Sequence, residues 1–92
     1  MRVLFAEDDR QLRESVARGL REASYVVDLA ANGTEALALA RGHDYDVVIL
    51  DILMAGATGL EGCRAIRATG SSVPILMLTA LDAVEQRITG LD

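Results

Sequence analysis

The 92-residue sequence contains no lysine, so its nine basic side chains are all arginines. It has fourteen acidic side chains, and the formal net charge is −5. Surfaces that hold nucleic acid need dense positive charge. The charge balance therefore argues against direct nucleic-acid binding by this chain. It permits binding of a divalent cation or of a basic partner.

Cysteine and long apolar runs are also scarce. Cys63 is the single cysteine, which excludes an intrachain disulfide framework and is typical of a reducing cytoplasm. No apolar run approaches the roughly 20 residues needed to span a bilayer. The N-terminus MRVLFAEDD becomes acidic too early for a signal peptide. We therefore expect one small cytoplasmic domain without a membrane segment.

What is present is an alternation of short apolar runs with amphipathic stretches. The predicted strands are 2–6, 25–31, 46–50 and 74–78, and the predicted helices are 10–23, 32–42, 58–70 and 81–92. This βαβαβαβα order predicts an α/β fold, an open parallel sheet with helices on both faces. The second run contains Asp28 and is less uniformly apolar than the others, so we expect it at an edge of the sheet.

Local signals predict where the helices begin and which faces they expose. Thr34 is predicted to cap the second helix, and Thr58 with Glu61 has capping-box spacing at the start of the third. The arginines of the first helix are interpreted as a solvated face.

Acidic side chains follow two of the apolar strands. Glu7, Asp8 and Asp9 follow the first strand, Asp51 follows the third, and Thr79 follows the fourth. In open parallel sheets, ligands bind beyond the carboxyl ends of the strands. If the first and third strands are neighbours, Glu7, Asp8 and Asp51 meet in one cleft, where like charges repel unless a cation lies among them. Mg²⁺ suits such oxygen ligands.

Each of these residues also has a plainer interpretation. An aspartate after a strand is most often a turn residue or a helix cap. Acidic residues before a helix often only complement its dipole, and a threonine after a strand is often an ordinary turn hydroxyl. The combination at three strand ends is more specific than any one part. A carboxylate beside Mg²⁺ can act as a nucleophile toward phosphorus and form an aspartyl phosphate.

The segments VLFAEDD, DVVILDILMAGATGLEG and PILMLTALD resemble the receiver domain of two-component response regulators, over essentially the whole chain. The ending LTALDAVEQRITGLD is similar to the subfamily whose receivers precede a winged-helix DNA-binding domain. The resemblance implies a flavodoxin-like fold with strand order 2-1-3-4. It also implies a cytoplasmic, phosphorylation-dependent signalling switch that uses Mg²⁺ and has a sensor histidine kinase as partner.

The same resemblance implies roles for four residues of the acidic cleft. Asp51 matches the phosphoacceptor, and Asp8 matches the acidic residue that binds Mg²⁺ directly. Glu7 matches the neighbour that acts through a metal-bound water, and Leu53 matches the position whose backbone carbonyl binds the metal. Asp9 is expected outside the metal's own ligands.

Two further positions match the family's switch, and one departs from its pattern. Thr79 matches the hydroxyl that moves toward the phosphoryl group, and Ala80 matches the small residue after it, where bulk would block access. Ala55 stands where family members usually have proline. Proline fixes φ and removes a donor, so this change is expected to loosen the loop without removing a ligand.

The chain ends at Asp92, before the family's fifth strand, fifth helix and phosphate-binding lysine. We therefore expect residues 1–92 to form a receiver domain that is incomplete at its C-terminus. The fourth strand would then be an uncovered apolar edge, which invites pairing with another chain. A homodimer or an oligomer with exchanged elements is the expected result.

Two rival functions remain open on the sequence alone. The first is a small phosphatase with an aspartate nucleophile. Such enzymes typically need a second aspartate two residues later, and that position is Leu53. The second is a receiver-like interaction module with impaired phosphorylation, which the absence of lysine leaves open.

Overall fold

The computed structural model describes residues 1–54 and 58–78 of the chain. The strands in this part are β1 (Arg2–Ala6), β2 (Val26–Ala30), β3 (Val47–Asp51) and β4 (Ile75–Leu78), and the helices are α1 (Arg10–Glu22), α2 (Gly33–Gly42) and α3 (Gly59–Ala68). The strands form one parallel sheet in the order β2-β1-β3-β4. The predicted α/β class, the strand order and the edge position of the second strand are confirmed.

The helices cover the two faces of the sheet, as predicted. On one face, α1 packs Val16, Ala17 and Leu20 against a core around Val3 and Phe5. Spacings of three and four residues bring such side chains to one side of a helix.

On the other face, α2 and α3 pack over a larger core that contains Leu4, Val48 and Leu50. Successive strand residues point to opposite faces, so Leu4 belongs to this core and Phe5 to the one under α1. β1 therefore contributes fully buried side chains to both faces. This explains why its sequence is almost purely apolar and why it lies inside the sheet.

The caps show where sequence reasoning was right and where it was wrong. Thr58 Oγ1 accepts a hydrogen bond from the Glu61 N–H at 3.2 Å, which confirms the predicted start of α3. The prediction of Thr34 as a cap was wrong, because α2 begins at Gly33 and Asn32 is its cap. The Asn32 side chain accepts from the Glu35 N–H at 2.8 Å. Asparagine is among the strongest capping residues.

None of the helices in the described ranges is both long enough and apolar enough to cross a membrane. The predicted helix over residues 81–92 lies outside the described residues.

Candidate metal centre at the carboxyl edge of the sheet

The first part of the centre lies where the chain leaves β1. The Glu7 N–H still donates to the Ala30 carbonyl of β2 at 3.0 Å, so Glu7 continues the ladder one residue beyond the strand. Asp9 then caps α1, because its side chain accepts from the Leu12 N–H at 3.1 Å. This capping role explains Asp9 without a metal. Glu7 and Asp8 therefore lie between the last hydrogen bond of the β1–β2 pair and the first turn of α1.

The second part of the centre is Asp51, the last residue of β3. β1 and β3 are adjacent, with Ala6 opposite Leu50 in the register, so the residues that follow these two lie side by side. Carboxylate oxygens of Glu7, Asp8 and Asp51 all lie within 4.8 Å of one another. The sequence predicted that these three side chains would meet, and the structure brings them together.

The three carboxylates differ in exposure and therefore in electrostatics. Glu7 is only 4% exposed, whereas Asp51 is partly buried and Asp8 is exposed. Burial, followed by the hydrogen bond with Asp51, raises the pKa of Glu7 to about 8, while the Asp9 N–H acts in the opposite direction on this pKa. That N–H donates to Glu7 Oε2 at 3.3 Å. Without a cation, this raised pKa favours the protonated form of Glu7 at neutral pH.

The donor set fits a hard divalent cation. All three side chains offer oxygen, and three carboxylates within a few ångströms of one another carry a charge that a cation offsets. Burial, and then the nearby Asp51, raise the pKa of Glu7, so a cation that binds among these oxygens replaces the proton that Glu7 otherwise retains. The residues present are those that could hold Mg²⁺.

The chain after β3 is positioned by its backbone. The Leu53 N–H donates to Asp51 Oδ1 at 3.2 Å, and the Leu53 side chain is 66% exposed. The Gly59 N–H donates to the Ile52 carbonyl at 2.9 Å, which places the start of α3 directly against the end of β3. A role for the Leu53 carbonyl in metal binding stays a prediction.

Thr79 and Ala80 follow β4, and they lie outside the described residues together with Ala55. The roles implied for them stay predictions. The register pairs Asp51 with Leu78, the residue before Thr79.

Sequence reasoning missed one residue beside this centre. Arg13 had been assigned to a solvated helix face, but its guanidinium donates to the Glu7 carbonyl at 2.8 Å. The signal was available, because Arg13 precedes Val16 and Ala17 by three and four residues and so lies on the face that packs on the sheet. An arginine on a buried face usually has a partner.

A second polar cluster was also missed, nearer the amino ends of the strands, where β1 begins. Asp28 of β2 accepts from Arg2 Nη2 at 2.8 Å and from the Tyr45 hydroxyl at 2.7 Å. The Arg2 guanidinium also lies over the Tyr45 ring, 5.4 Å from its centre. Asp28 was interpreted only as a sign of an edge strand, because its partners are distant in sequence.

Comparisons with known proteins agree with this geometry. Residues 3–92 match the family model described as "Response regulator receiver domain". Among curated relatives, the Response regulator MprA of Mycobacterium sp. (strain KMS) is 48% identical over 92 residues, and the match covers all of this chain and 40% of that protein. The MprA of Mycobacterium leprae (strain TN) is 47% identical with the same coverage. The chain thus spans less than half the length of these relatives.

Two solved structures are similar in fold. The response regulator protein TrrA from Thermotoga maritima, solved in complex with Mg²⁺-BeF, has a TM-score of 0.84 and 37% identity, with 98% of this chain and 78% of that chain covered. A complex of the histidine kinase ThkA with TrrA has a TM-score of 0.80 and 31% identity, with 98% and 97% covered.

Proposed function

Because the chain belongs to the response regulator receiver domain family, we propose that it is a phosphorylation-dependent signalling switch of a two-component system. Asp51 accepts a phosphoryl group from a phosphohistidine of a sensor histidine kinase. One observation carries this proposal: carboxylate oxygens of Glu7, Asp8 and Asp51, from the tips of two adjacent strands, lie within 4.8 Å of one another.

The reaction is a displacement at phosphorus. An Asp51 carboxylate oxygen forms the new P–O bond while the P–N bond to the kinase imidazole breaks, and the imidazole leaves with the electron pair of that bond. Mg²⁺, when bound, offsets the negative charge of the phosphoryl oxygens. Asp51 is suited to the nucleophile's role because it is partly exposed and its position is fixed at the end of a strand.

Each remaining residue has a proposed role at this centre. Asp8 would hold the metal directly, Glu7 would act through an intervening water, and the Leu53 carbonyl would supply a further oxygen. Thr79 supplies the hydroxyl that responds to phosphorylation, and Ala80 keeps its approach open. The support is that Glu7, Asp8 and Asp51 meet at one point and that Leu53 hydrogen-bonds Asp51.

The proposed partner is a sensor histidine kinase. The related TrrA has been solved in complex with the histidine kinase ThkA. We propose no direct contact with nucleic acid for this chain, whose net charge is −5. We also propose self-association through the β4 edge, as a homodimer or as an oligomer with exchanged elements.

Phosphorylation with a small-molecule donor tests the proposal without the kinase. The chain is incubated with Mg²⁺ and acetyl phosphate, and its intact mass is followed. We expect a labile adduct of about 80 Da, one phosphoryl group, that requires Mg²⁺ and is absent from Asp51→Asn. Asp44→Asn, which changes an exposed aspartate of the α2–β3 connection, is the matched control and is expected to accept phosphate.

Other results would contradict the switch. Steady release of inorganic phosphate, without an adduct that accumulates, would indicate a phosphatase. The absence of any Mg²⁺-dependent change in mass or in amide shifts would indicate a pure interaction module. An adduct that persists in Asp51→Asn would place the phosphoacceptor elsewhere.

A further inference from the structure

Two of the four arginines of α1 hold backbone carbonyls of the sheet. Arg13 Nη1 donates to the Glu7 carbonyl at 2.8 Å, and Arg21 Nη2 donates to the Val27 carbonyl at 2.9 Å. Arg10 instead forms an exposed pair with Glu14 of the same helix. The two carbonyl contacts are of the same chemical kind but lie at opposite edges of the sheet, since Glu7 follows β1 and Val27 is near the start of β2.

The Glu7 carbonyl belongs to the peptide unit that joins the two acidic residues of the centre. A peptide unit is planar, so the position of its oxygen fixes the directions of the α-carbons on both sides. The N–H of Glu7 is held by the Ala30 carbonyl at 3.0 Å, and its carbonyl is held by Arg13. Both backbone groups of Glu7 are therefore fixed, one by β2 and one by α1.

We infer that Arg13 is a positioning residue of the metal centre: it holds the peptide plane between Glu7 and Asp8, and so it holds their carboxylates in the arrangement that binds a divalent cation. Arg13 acts through the backbone and supplies no ligand. This inference rests on the proposed function, because it assumes that the acidic cluster binds Mg²⁺.

The two consequences of removing Arg13 have opposite signs, which makes the inference testable. Loss of a positive charge near an acidic cluster by itself strengthens cation binding, and the effect falls off over a screening length of about 8 Å at physiological salt. Loss of the hydrogen bond that orients the ligands weakens binding. The direction of the change in Mg²⁺ affinity separates a positioning role from a charge effect.

The test compares Arg13→Met with Arg21→Met in the full chain. Methionine has nearly the helix propensity of arginine and a similar unbranched stem, so each variant loses one charge and one guanidinium–carbonyl bond. Mg²⁺ is titrated while the amide shifts of Asp8 and Asp51 are followed, and each variant's thermal melting is recorded without Mg²⁺. We expect both variants to melt at lower temperature by similar amounts, as loss of a helix-docking contact requires.

The Mg²⁺ titration is expected to distinguish them. Arg13→Met should bind Mg²⁺ on the order of tenfold more weakly, the usual effect of losing a group that orients metal ligands. Arg21→Met should bind as the wild type does. Arg13→Lys, which keeps the charge and a donor, should recover most of the lost affinity. If Arg13→Met does not fold, Arg13→Gln is titrated in its place against the same criterion.

An Arg13 variant that binds Mg²⁺ as tightly as the wild type, or more tightly, overturns the positioning role and leaves the metal centre standing. An equal loss of affinity in Arg21→Met also overturns it, because the effect would then be one of general helix docking. A wild-type chain whose amide shifts do not respond to Mg²⁺ contradicts the proposed function itself.

Discussion

At the scale of single residues, the fold uses acidic side chains at its two edges in different ways. At the carboxyl ends of the strands, oxygens of Glu7, Asp8 and Asp51 lie within 4.8 Å of one another. Nearer the amino ends of the strands, Asp28 accepts hydrogen bonds from the Arg2 guanidinium and the Tyr45 hydroxyl. The cluster of three carboxylates is the one suited to a cation, whereas the contacts of Asp28 with a guanidinium and a hydroxyl stabilise the fold.

The contacts of Asp28 predict a specific acid sensitivity. The hydrogen bond from Tyr45, followed by the one from Arg2, lowers the pKa of Asp28 below 3.8. A lowered pKa means stabilisation that is present above about pH 4 and is lost as the pH falls through the folded-state value. Asp28→Asn is expected to reduce the unfolding free energy by roughly 1 kcal/mol at pH 7. The difference from wild type should shrink at about pH 3.

Urea unfolding of wild type and Asp28→Asn at both pH values measures this difference. Asp44→Asn is the control, and its unfolding free energy is expected to stay within about 0.5 kcal/mol of wild type. An Asp28→Asn effect that is equal at the two pH values would contradict the role of the carboxylate charge.

In alkali, the group that titrates is Tyr45, because burial and Asp28 raise the pKa of Tyr45 to about 12. The stabilisation from Tyr45 is therefore present below about pH 10 and is lost as the pH rises toward 12.

At the scale of elements, the start of α3 packs so closely on the end of β3 that no side chain fits between their backbones. A Cβ built at Gly59 would lie 2.5 Å from the Asp51 carbonyl oxygen and 2.8 Å from the Ile52 Cα, both backbone atoms. A Cβ at Gly62, one turn later, would meet only Leu50 Cδ1 at 3.5 Å, an ordinary contact. Of these two glycines of one helix, only Gly59 must lack a side chain because of the atoms around it.

These contacts predict opposite effects of two similar substitutions. Gly59→Ala is expected to lower the unfolding free energy by about 1–3 kcal/mol, because the backbone of β3 must move. It should also weaken Mg²⁺ binding, since Asp51 moves with it. Gly62→Ala is expected to raise the unfolding free energy by up to about 1 kcal/mol through helix propensity. Urea unfolding checks both, and a Gly59→Ala variant as stable as wild type would show that the start of α3 can shift freely.

Sequence patterns predicted the elements well for a physical reason. Each apolar run and helical stripe is local, so the alternation of the two predicts the strands and helices without reference to distant parts of the chain. The convergence of Glu7 with Asp51 was predicted on the condition that the first and third strands are neighbours, an order that the family resemblance implied and the sheet confirms. What could not be predicted depends on distant partners, as for Arg13 with the Glu7 carbonyl or Asp28 with Tyr45. The cap of α2 was mispredicted because Asn32 and Thr34 can both cap a helix and lie only two residues apart.

At the scale of the whole molecule, the proposed metal centre predicts a stability that depends on Mg²⁺. Three carboxylates within 4.8 Å of one another are expected to lower the unfolding free energy when no cation is bound. Asp51→Asn is therefore expected to melt at a higher temperature than wild type without Mg²⁺, with a gain of about 0.5–1 kcal/mol. With Mg²⁺ at tenfold its Kd, the unfolding free energy of the wild type rises by roughly 1.4 kcal/mol by mass action. The difference in melting temperature between Asp51→Asn and the wild type should therefore narrow or change sign.

Thermal melts with and without MgCl₂ measure this reversal. NaCl at equal ionic strength is the control, because it screens charge without binding at the site. A rise in wild-type Tm that NaCl reproduces, or one that is equally large in Asp51→Asn, would contradict specific binding at the cluster.

The sheet also predicts how the chain behaves at high concentration. Among the described strands, β4 has a neighbour on one side only, and Leu76 at its centre is 49% exposed. A strand edge with an apolar surface is a template for pairing with another chain, so we expect a mass that rises with concentration in light scattering. Leu76→Lys should shift this equilibrium toward the monomer, since charge on an edge strand opposes pairing. Leu60→Lys changes an equally exposed leucine, also 49%, on α3 and should leave association unchanged, because a helix face offers no unpaired strand. A single monomeric mass across the dilution series would show that this edge is already covered.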